Sequence, residues 1–288
     1  MRHPTGIYPW RGSIVNCLIF KPFFMRKIIC TATALLFVTL AFCQDVPATS
    51  NCESTIKEYG VLWQQKAAEY RALCYQAFNL AELRLLEIPR KKFRKGHIAI
   101  ITDLDETILD NSYSEARLIK EGKQYNSMSW KEWLDRSAAT GVPGAAAFLQ
   151  KAKQRGATIF YISNRKVADI ESTLLNLQKL GLPDADTSHM FFQKESSSKE
   201  SRRQQVMQRY NVVMLLGDNL NDFTNIFENK NITDRFAETD KVIAEWGKKF
   251  IVLPNAVYGD WENALYDYKF NYSAEQKQAI RMQLLVGY

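Results

Sequence analysis

Histidine is scarce in this chain: there are three among 288 residues, and only His97 and His189 lie beyond residue 43. Haem capture usually requires an axial histidine, and these two adjoin predicted strands, where packing or turn roles are expected. Acidic residues are absent from residues 1–43, which carry five basic ones. The remaining 245 residues hold 33 lysines and arginines against 31 acids, a net charge of +2. That balance does not supply the concentrated basic face that binds nucleic-acid polymers.

The leader, residues 1–43, has the pattern of an export signal. Met-Arg-Lys begins at Met25, a 15-residue apolar stretch covers residues 28–42, and Cys43 opens a polar exit. The stretch is shorter than the roughly 20 residues that span a bilayer, so we expect cleavage, with an uncleaved tether as the alternative. The residues before Cys43 resemble a lipoprotein box except for the bulky Phe42. Export to the periplasm or outer membrane is predicted; lipid anchoring at Cys43, soluble release, and a start at Met1 or Met25 all stay open.

Two cysteines remain beyond the leader, Cys52 and Cys74. An exported protein can oxidise such a pair to a disulfide. Alternatively, Cys74 packs within a helix and Cys52 is a free thiol. The sequence leaves both possibilities open.

Short apolar runs alternate with helical patterns from residue 97 onward, and residues 44–288 fit one domain. The predicted strands are 97–102, 157–162, 189–192, 212–216 and 249–253. Strand, helix, strand repetition predicts the α/β class with a doubly wound parallel sheet. A helical arm is expected over residues 53–90. Residues 112–140, helical and aromatic, interrupt the sheet after its first strand and are predicted to form a cap over its carboxyl edge.

Acidic residues follow two of these strands. The carboxyl ends of parallel strands share one edge, where such folds bind ligands. Asp103 there can attack a phosphate to form an aspartyl-phosphate, and Asp105 can serve as general acid and base, a role that suits a modestly raised pKa. After strand 212–216, Asp218 can ligate Mg²⁺, and Asp222 can help to orient the ion without binding it directly. The simpler alternative for each acid is the capping of a helix.

Polar residues follow two other strands. Ser163 and Asn164 offer a hydroxyl and amides to phosphate oxygens, and Arg165 can add a charge-assisted contact. Lys199, or less favourably Lys194, lies on a polar loop before a helix and can hold the phosphate. Taken singly, these residues are more simply a helix cap and a solvated charge. In combination with the acids, after four successive strands, they favour a phosphate site.

These segments together resemble the class C acid phosphatases of the haloacid dehalogenase (HAD) superfamily, a family that includes outer-membrane lipoprotein 5'-nucleotidases. The resemblance runs from Glu53 to the carboxyl terminus, with matching motifs at residues 103–112, 160–165, 217–223 and 254–259. It implies a HAD-like, Rossmann-type fold, a Mg²⁺ cofactor, a homodimer, and hydrolysis of phosphomonoesters that include nucleoside monophosphates.

The resemblance also assigns roles to residues. It makes Asp103 the nucleophile and a metal ligand, Asp105 the acid/base and a ligand through its backbone carbonyl, and Asp218 the third metal-binding residue. Ser163 and Lys199 match the phosphate-binding serine and lysine, although residues 193–203 depart from the family's usual lysine-rich sequence.

Aromatic residues match the positions that this family uses to sandwich the base of a nucleotide. They are Trp130 in the cap and Tyr258 near the carboxyl end, with Tyr113 as a looser candidate. Core packing is the alternative for each of them.

Asp105 separates functions within the superfamily, because a dehalogenase has no use for an acid two residues after its nucleophile. A phosphatase must protonate its leaving alkoxide. The alternative from another class is a surface lipoprotein that binds haem or nucleotides without turning them over.

Overall fold

The structure, a computed structural model, describes residues 52–93 and 97–288, with side chains from residue 56 onward within those ranges. The predicted leader, including Met25 and Cys43, lies outside the described residues, as does the side chain of Cys52. Its predicted partner Cys74 is a buried free thiol. Within the described ranges, no helix is both long enough and apolar enough to cross a bilayer.

A five-stranded parallel sheet forms the centre of the molecule, and it confirms the predicted fold class. Its strands are β1 (Ile98–Thr102), β4 (Thr158–Lys166), β5 (Met190–Gln193), β6 (Asn211–Gly217) and β7 (Phe250–Val252), in the order β5-β4-β1-β6-β7. The five predicted strands all form. Strand β4 extends beyond its predicted end because, after a register shift, Lys166 pairs with Gln193 of β5.

Helices flank this sheet on both faces. In chain order they are α1 (Cys52–Lys66), α2 (Ala68–Glu87), α3 (Arg90–Phe93), α4 (Ser112–Lys120), α5 (Ser127–Asp135), α6 (Ala145–Arg155), α7 (Ile170–Lys179), α8 (Glu200–Met207), α9 (Ile232–Lys241), α10 (Asp260–Leu265) and α11 (Ala274–Leu284). The arm predicted over residues 53–90 is therefore broken at Ala67, where the backbone is extended.

Two hydrophobic clusters cover the two faces of the sheet, because successive side chains of a strand point to opposite faces. In β1, Ile98 and Ile100 join the cluster that contains the buried side chains of α2 and α6, whereas Ala99 and Ile101 join the other. Burial of one such isoleucine contributes about 1.5–3 kcal/mol. Packing on both faces fixes β1 at the centre and, with it, the residues that follow it.

The segment predicted as a cap leaves and re-enters the domain through one short antiparallel pair, β2 (Leu109–Asp110) and β3 (Thr140–Gly141). Helices α4 and α5 lie between these two strands. Helix α5 begins with a capping box, in which the Asn126 side chain accepts from the backbone N–H of Ser129. Its start is thus specified locally.

Helix α1 of the arm packs against α4 of the cap through polar side chains. Gln64 Nε2 donates to Asp110 Oδ1 at 2.8 Å, and Gln65 Nε2 donates to Ser112 Oγ at 3.0 Å. Lys57 Nζ lies 3.3 Å from Glu115 Oε2. These contacts hold the cap at the carboxyl edge of the sheet.

Candidate active site

Three aspartates meet where the two central strands end. Asp103 directly follows β1 and donates its backbone N–H to Leu216 O of β6 at 2.9 Å, so the two strand ends stay in register. Asp218 directly follows β6, and Asp222 ends the next 3₁₀ turn. One carboxylate oxygen from each of Asp103, Asp218 and Asp222 lies within 4.8 Å of the others. The strand order thus builds a cluster of carboxylates from residues far apart in the chain.

A buried lysine contacts two of these aspartates. Lys199 immediately precedes α8, and its Nζ lies 2.5 Å from Asp103 Oδ1 and 2.6 Å from Asp222 Oδ1. Lys194, the less favoured candidate, is exposed. Among the described residues it is therefore Lys199 that occupies the predicted position beside Asp103.

The carboxylates carry more negative charge than Lys199 balances. Burial raises the pKa of Asp103 well above its usual range; the charge of Lys199 opposes this rise, and the charges of Asp222 and Asp218 add to it. Burial and the charge of Asp222 raise the pKa of Asp218 to about 8. Crowded oxygen donors of this kind are the environment in which a cation is most strongly favoured.

Asp105 has a different environment from its neighbours. Its carboxylate accepts from Arg165 Nη2 at 2.7 Å and Nε at 3.1 Å, and from Asn111 Nδ2 at 2.8 Å. Burial alone would raise the pKa of Asp105, but the charge and hydrogen bonds of Arg165 and the hydrogen bond from Asn111 outweigh it and lower the pKa. The expectation of a modestly raised pKa is therefore wrong, because it left out the guanidinium.

The residues near the carboxyl end of β4 are divided between the site and its support. Ser163 is fully buried, and its hydroxyl donates to Asp105 Oδ2 at 3.3 Å. Asn164 lines the cavity described below. Arg165, expected to contact phosphate, instead holds Asp105 and donates through Nη1 to Thr173 Oγ1 at 2.9 Å. Phosphate binding by Ser163 and Asn164 stays a prediction.

A cavity of about 770 Å³ lies over these groups. Asp103, Asp105, Asp218, Asp222 and Lys199 all line it, and so do Trp130 from α5 and Tyr258 from the loop after β7. Volumes of this size are typical of small-molecule sites. The structure therefore brings together the catalytic, metal and aromatic residues predicted from the sequence, with Ser163 just behind the wall.

The two aromatic side chains are only half-buried, so core packing does not account for them. The ring centre of Trp130 lies 5.7 Å from the guanidinium carbon of Arg165. The hydroxyl of Tyr258 donates to Glu106 Oε2, and Lys57 Nζ lies 5.8 Å from its ring centre. Tyr113 is half exposed and stacks on Trp133 at 6.4 Å. It does not line this cavity.

Comparison with known proteins decides the family. The model of the HAD superfamily, subfamily IIIB (acid phosphatase), matches residues 30–261. The class C acid phosphatase from Bacillus anthracis, in a crystal structure with tungstate bound, is 39% identical, with a TM-score of 0.77 over 83% of this chain and 99% of that one. A second structure of that enzyme gives 39% identity and a TM-score of 0.77 over 82% and 99%. The chain belongs to the class C acid phosphatases.

The acidic cluster of this phosphatase fits a divalent metal, which the HAD family generally uses. Asp103 and Asp218 supply hard carboxylate oxygens. Asn255 Nδ2 donates to Asp218 Oδ2 at 2.8 Å, and Thr107 Oγ1 donates to Asp218 Oδ1 at 3.1 Å. Partners of this kind orient a ligating carboxylate before the metal arrives.

Glu106, Asn111 and Arg202 are among the residues around the phosphatase site that carry no role in the sequence-based prediction. Glu106 is buried and accepts from the backbone N–H of Asn111 at 2.8 Å and from Tyr258. Burial and the charge of Asp105 raise the pKa of Glu106 to about 8. Arg202 donates to Ser163 O and Asn164 Oδ1, each at 2.6 Å. Glu106 and Asn111 stand within a motif that the sequence already singles out, whereas nothing in the sequence marks Arg202 as buried.

The alternative of a non-catalytic haem-binding protein finds no support. His97 is exposed, and His189 Nδ1 contacts Asp186 beside the far end of the sheet. Neither histidine lines the cavity. Membership of a phosphomonoesterase family makes this chain an enzyme.

Gly217 carries a prediction of its own, because it is what allows Asp222 to approach β6. A Cβ at Gly217 would lie 2.4 Å from Asp222 Cβ, so the carboxylate must move away from Lys199. We expect Gly217→Ala to lower phosphatase kcat/KM by about 10²-fold, as misplacement of a reacting group by about 1 Å does. The control is Gly141→Ala, whose new Cβ meets nothing within 4 Å. Equal activity of the two variants would contradict the packing argument.

Proposed function

We propose that this phosphatase is an exported, Mg²⁺-dependent enzyme that hydrolyses nucleoside monophosphates through an aspartyl-phosphate on Asp103. The observation that carries the proposal is the position of Asp103. Its carboxylate lies at the cavity wall between the Lys199 ammonium, 2.5 Å away, and the carboxylates of Asp218 and Asp222. Lys199 and a metal held by the carboxylates would balance the charge of a phosphate that Asp103 attacks there.

In the proposed first step, Asp103 Oδ attacks phosphorus and the ester P–O bond breaks. The leaving alkoxide takes a proton from Asp105. In the second step, water attacks phosphorus, Asp105 takes the proton of that water, and the bond from phosphorus to Asp103 breaks. Lys199 contacts both Asp103 and the transferring oxygens, which limits the charge that builds up in each step.

Asp105 suits this exchange because its position is fixed by three neighbours, Arg165, Asn111 and Ser163. Arg165 and Asn111 hold the carboxylate two residues beyond the nucleophile. The same guanidinium that lowers its pKa makes the protonated form scarce near neutral pH, so protonation of the leaving group is expected to be more effective under acidic conditions.

We propose Mg²⁺ as the metal because the donors are hard oxygens. Asp103, Asp218 and the backbone carbonyl of Asp105 would bind the ion. Asp222 would orient it without binding it directly. The described residues that line the cavity include no cysteine or histidine, the donors that favour softer metals. When bound, the ion neutralises the negative charge of the phosphate and polarises it for attack.

The tungstate bound to the Bacillus anthracis enzyme supports an oxyanion site in this family. Trp130 and Tyr258 support a nucleotide as the carrier of the phosphate, because both rings face the cavity from different elements. Stacking on a base contributes about 1–3 kcal/mol and tolerates any base. A base between them would leave the phosphate directed at Asp103.

Export is proposed from the leader alone, with release or lipid anchoring at Cys43 as the two modes; a homodimer is proposed from family resemblance. The mass of the N-terminal peptide from purified cell envelopes tests the first proposal. A chain that retains residues 28–42 in the cytosol would contradict it.

Loss of the nucleophile and loss of the metal are expected to have the same effect. Asp103→Asn should reduce release of p-nitrophenol from p-nitrophenyl phosphate by about 10⁴-fold or more, because no other carboxylate can take its place. Chelation of the wild-type enzyme with EDTA should abolish release, and added Mg²⁺ should restore it. Full activity in EDTA would contradict the proposed metal requirement. Substantial turnover by Asp103→Asn would contradict the role of Asp103 as the nucleophile.

Trp130→Ala tests the nucleotide proposal. We expect it to lower kcat/KM for AMP about tenfold more than for p-nitrophenyl phosphate, since loss of one stacking partner removes about 1–3 kcal/mol from base binding alone. Tyr113→Ala is the matched control, because it removes an aromatic ring of the cap that lies off the cavity. Equal losses with both substrates would make Trp130 a structural residue.

A further inference from the structure

A second recess adjoins the active-site cavity. Its volume is about 250 Å³, and six residues line both spaces: Lys57, Glu115, Tyr125, Asn263, Tyr268 and Phe270. Helices α10 and α11 and the end of α4 form the rest of its wall. Because the two spaces share these side chains, they lie next to each other.

The recess differs from the cavity in charge. Five cations line it, Lys57, Lys123, Lys269, Lys277 and Arg281, against the two acids Glu115 and Glu262. Lys57 and Glu115 pair with each other at 3.3 Å. The cavity has the opposite balance, with Asp103, Asp105, Glu115, Asp218, Asp222, Glu228 and Asp260 against Lys57, Arg165 and Lys199. A substrate that spans both spaces would therefore bind best if it placed a second anionic group in the recess.

Arg281 gives the recess a vacant donor. Its Nη1 donates to Tyr266 Oη at 2.6 Å, but its Nη2 is buried with no hydrogen-bond partner among the described residues. A buried donor without an acceptor is unfavourable, and the penalty is greater for a charged group. An anionic oxygen in the recess would satisfy this donor.

Lys277 lies near the same tyrosine as Arg281. It lies one turn before Arg281 on α11, and its Nζ is 5.7 Å from the ring centre of Tyr266, the residue that Arg281 contacts. A phosphate suits a site beside Tyr266 best, because a guanidinium fork and an ammonium can share its oxygens.

We infer that this recess binds a second phosphate of the substrate, so that the enzyme prefers phosphomonoesters that carry another phosphate group remote from the scissile one. Nucleoside bisphosphates and short 5'-phosphorylated oligonucleotides belong to this class. The inference rests on the proposed nucleotidase function and names its substrates more narrowly. It assigns Lys277 and Arg281 to specificity and leaves the chemistry to Asp103 and Asp105.

The test compares AMP with the 5'-phosphorylated dinucleotide pApA, which has one cleavable phosphomonoester and one phosphodiester anion. The ratio of kcat/KM for pApA to kcat/KM for AMP is measured on the full chain. We expect Arg281→Gln to lower this ratio about tenfold, mainly through KM for pApA, as loss of one charge-assisted hydrogen bond does. Lys277→Gln should lower it in the same direction, which covers the case that Arg281→Gln fails to fold.

Lys151→Gln is the matched control, since Lys151 pairs with Glu82 at the surface and lines neither space. If the ratio is unchanged in both recess variants while p-nitrophenyl phosphate is still hydrolysed, the recess does not bind a second phosphate of the substrate. The proposed phosphatase mechanism would be unaffected by that result. Loss of p-nitrophenyl phosphate hydrolysis by the wild type would instead overturn the proposed function. If the variants alter only inhibition by inorganic phosphate, or only the mass of the assembly in solution, the recess serves a free anion or a second copy and the inference is wrong.

Discussion

The contact of the Lys199 ammonium with Asp103 and Asp222 is the interaction on which the site depends. The carboxylates of Asp103 and Asp222, which are buried, and of Asp218, which is half-buried, lie within 4.8 Å of one another and repel strongly. Lys199 is the lysine that the chain places among them. Its position depends in turn on β5, which carries the chain across to the carboxyl edge before α8 begins. The five-stranded order therefore matters for charge balance as much as for packing, because it brings the lysine and the acids to one edge.

A second buried pair, Asp105 with Arg165, serves a different purpose. Here the carboxylate is neutralised within the protein by a side chain of β4, while the first cluster keeps an excess of negative charge that a metal cation would neutralise. Arg165 also lies under Trp130, so one guanidinium contacts both the proposed proton carrier and the proposed wall of the base pocket. Two acids two residues apart thus acquire separate electrostatic environments, which is what two separate tasks require.

The sheet, its five strands and the aspartates at their ends were predictable, because buried strands have a strong local pattern and carboxyl ends of parallel strands converge. Lys199 needed the family resemblance, since a lone lysine in a serine-rich loop has no pattern of its own. Arg165 was predicted near the site, but its contacts with Asp105 were not: a sequence shows that a guanidinium is near the site and cannot show which oxygen it faces. Glu106 and Arg202 escaped notice because buried charges are identified by their partners, and those partners lie 42 and 39 residues away in Gln64 and Ser163.

The antiparallel pair of β2 and β3 has a consequence for how such an enzyme can change. Because the chain departs from the sheet and returns to it through two adjacent strands, most of the segment between residues 112 and 139 can be lengthened, shortened or exchanged. The hydrogen bonds of β1, β4 and β6, and the contact of Asn111 with Asp105, would stay as they are. Mutation can then act on the choice of leaving group without disturbing the nucleophile. The β2–β3 pair is therefore the place at which substrate recognition can change while the catalytic residues stay the same.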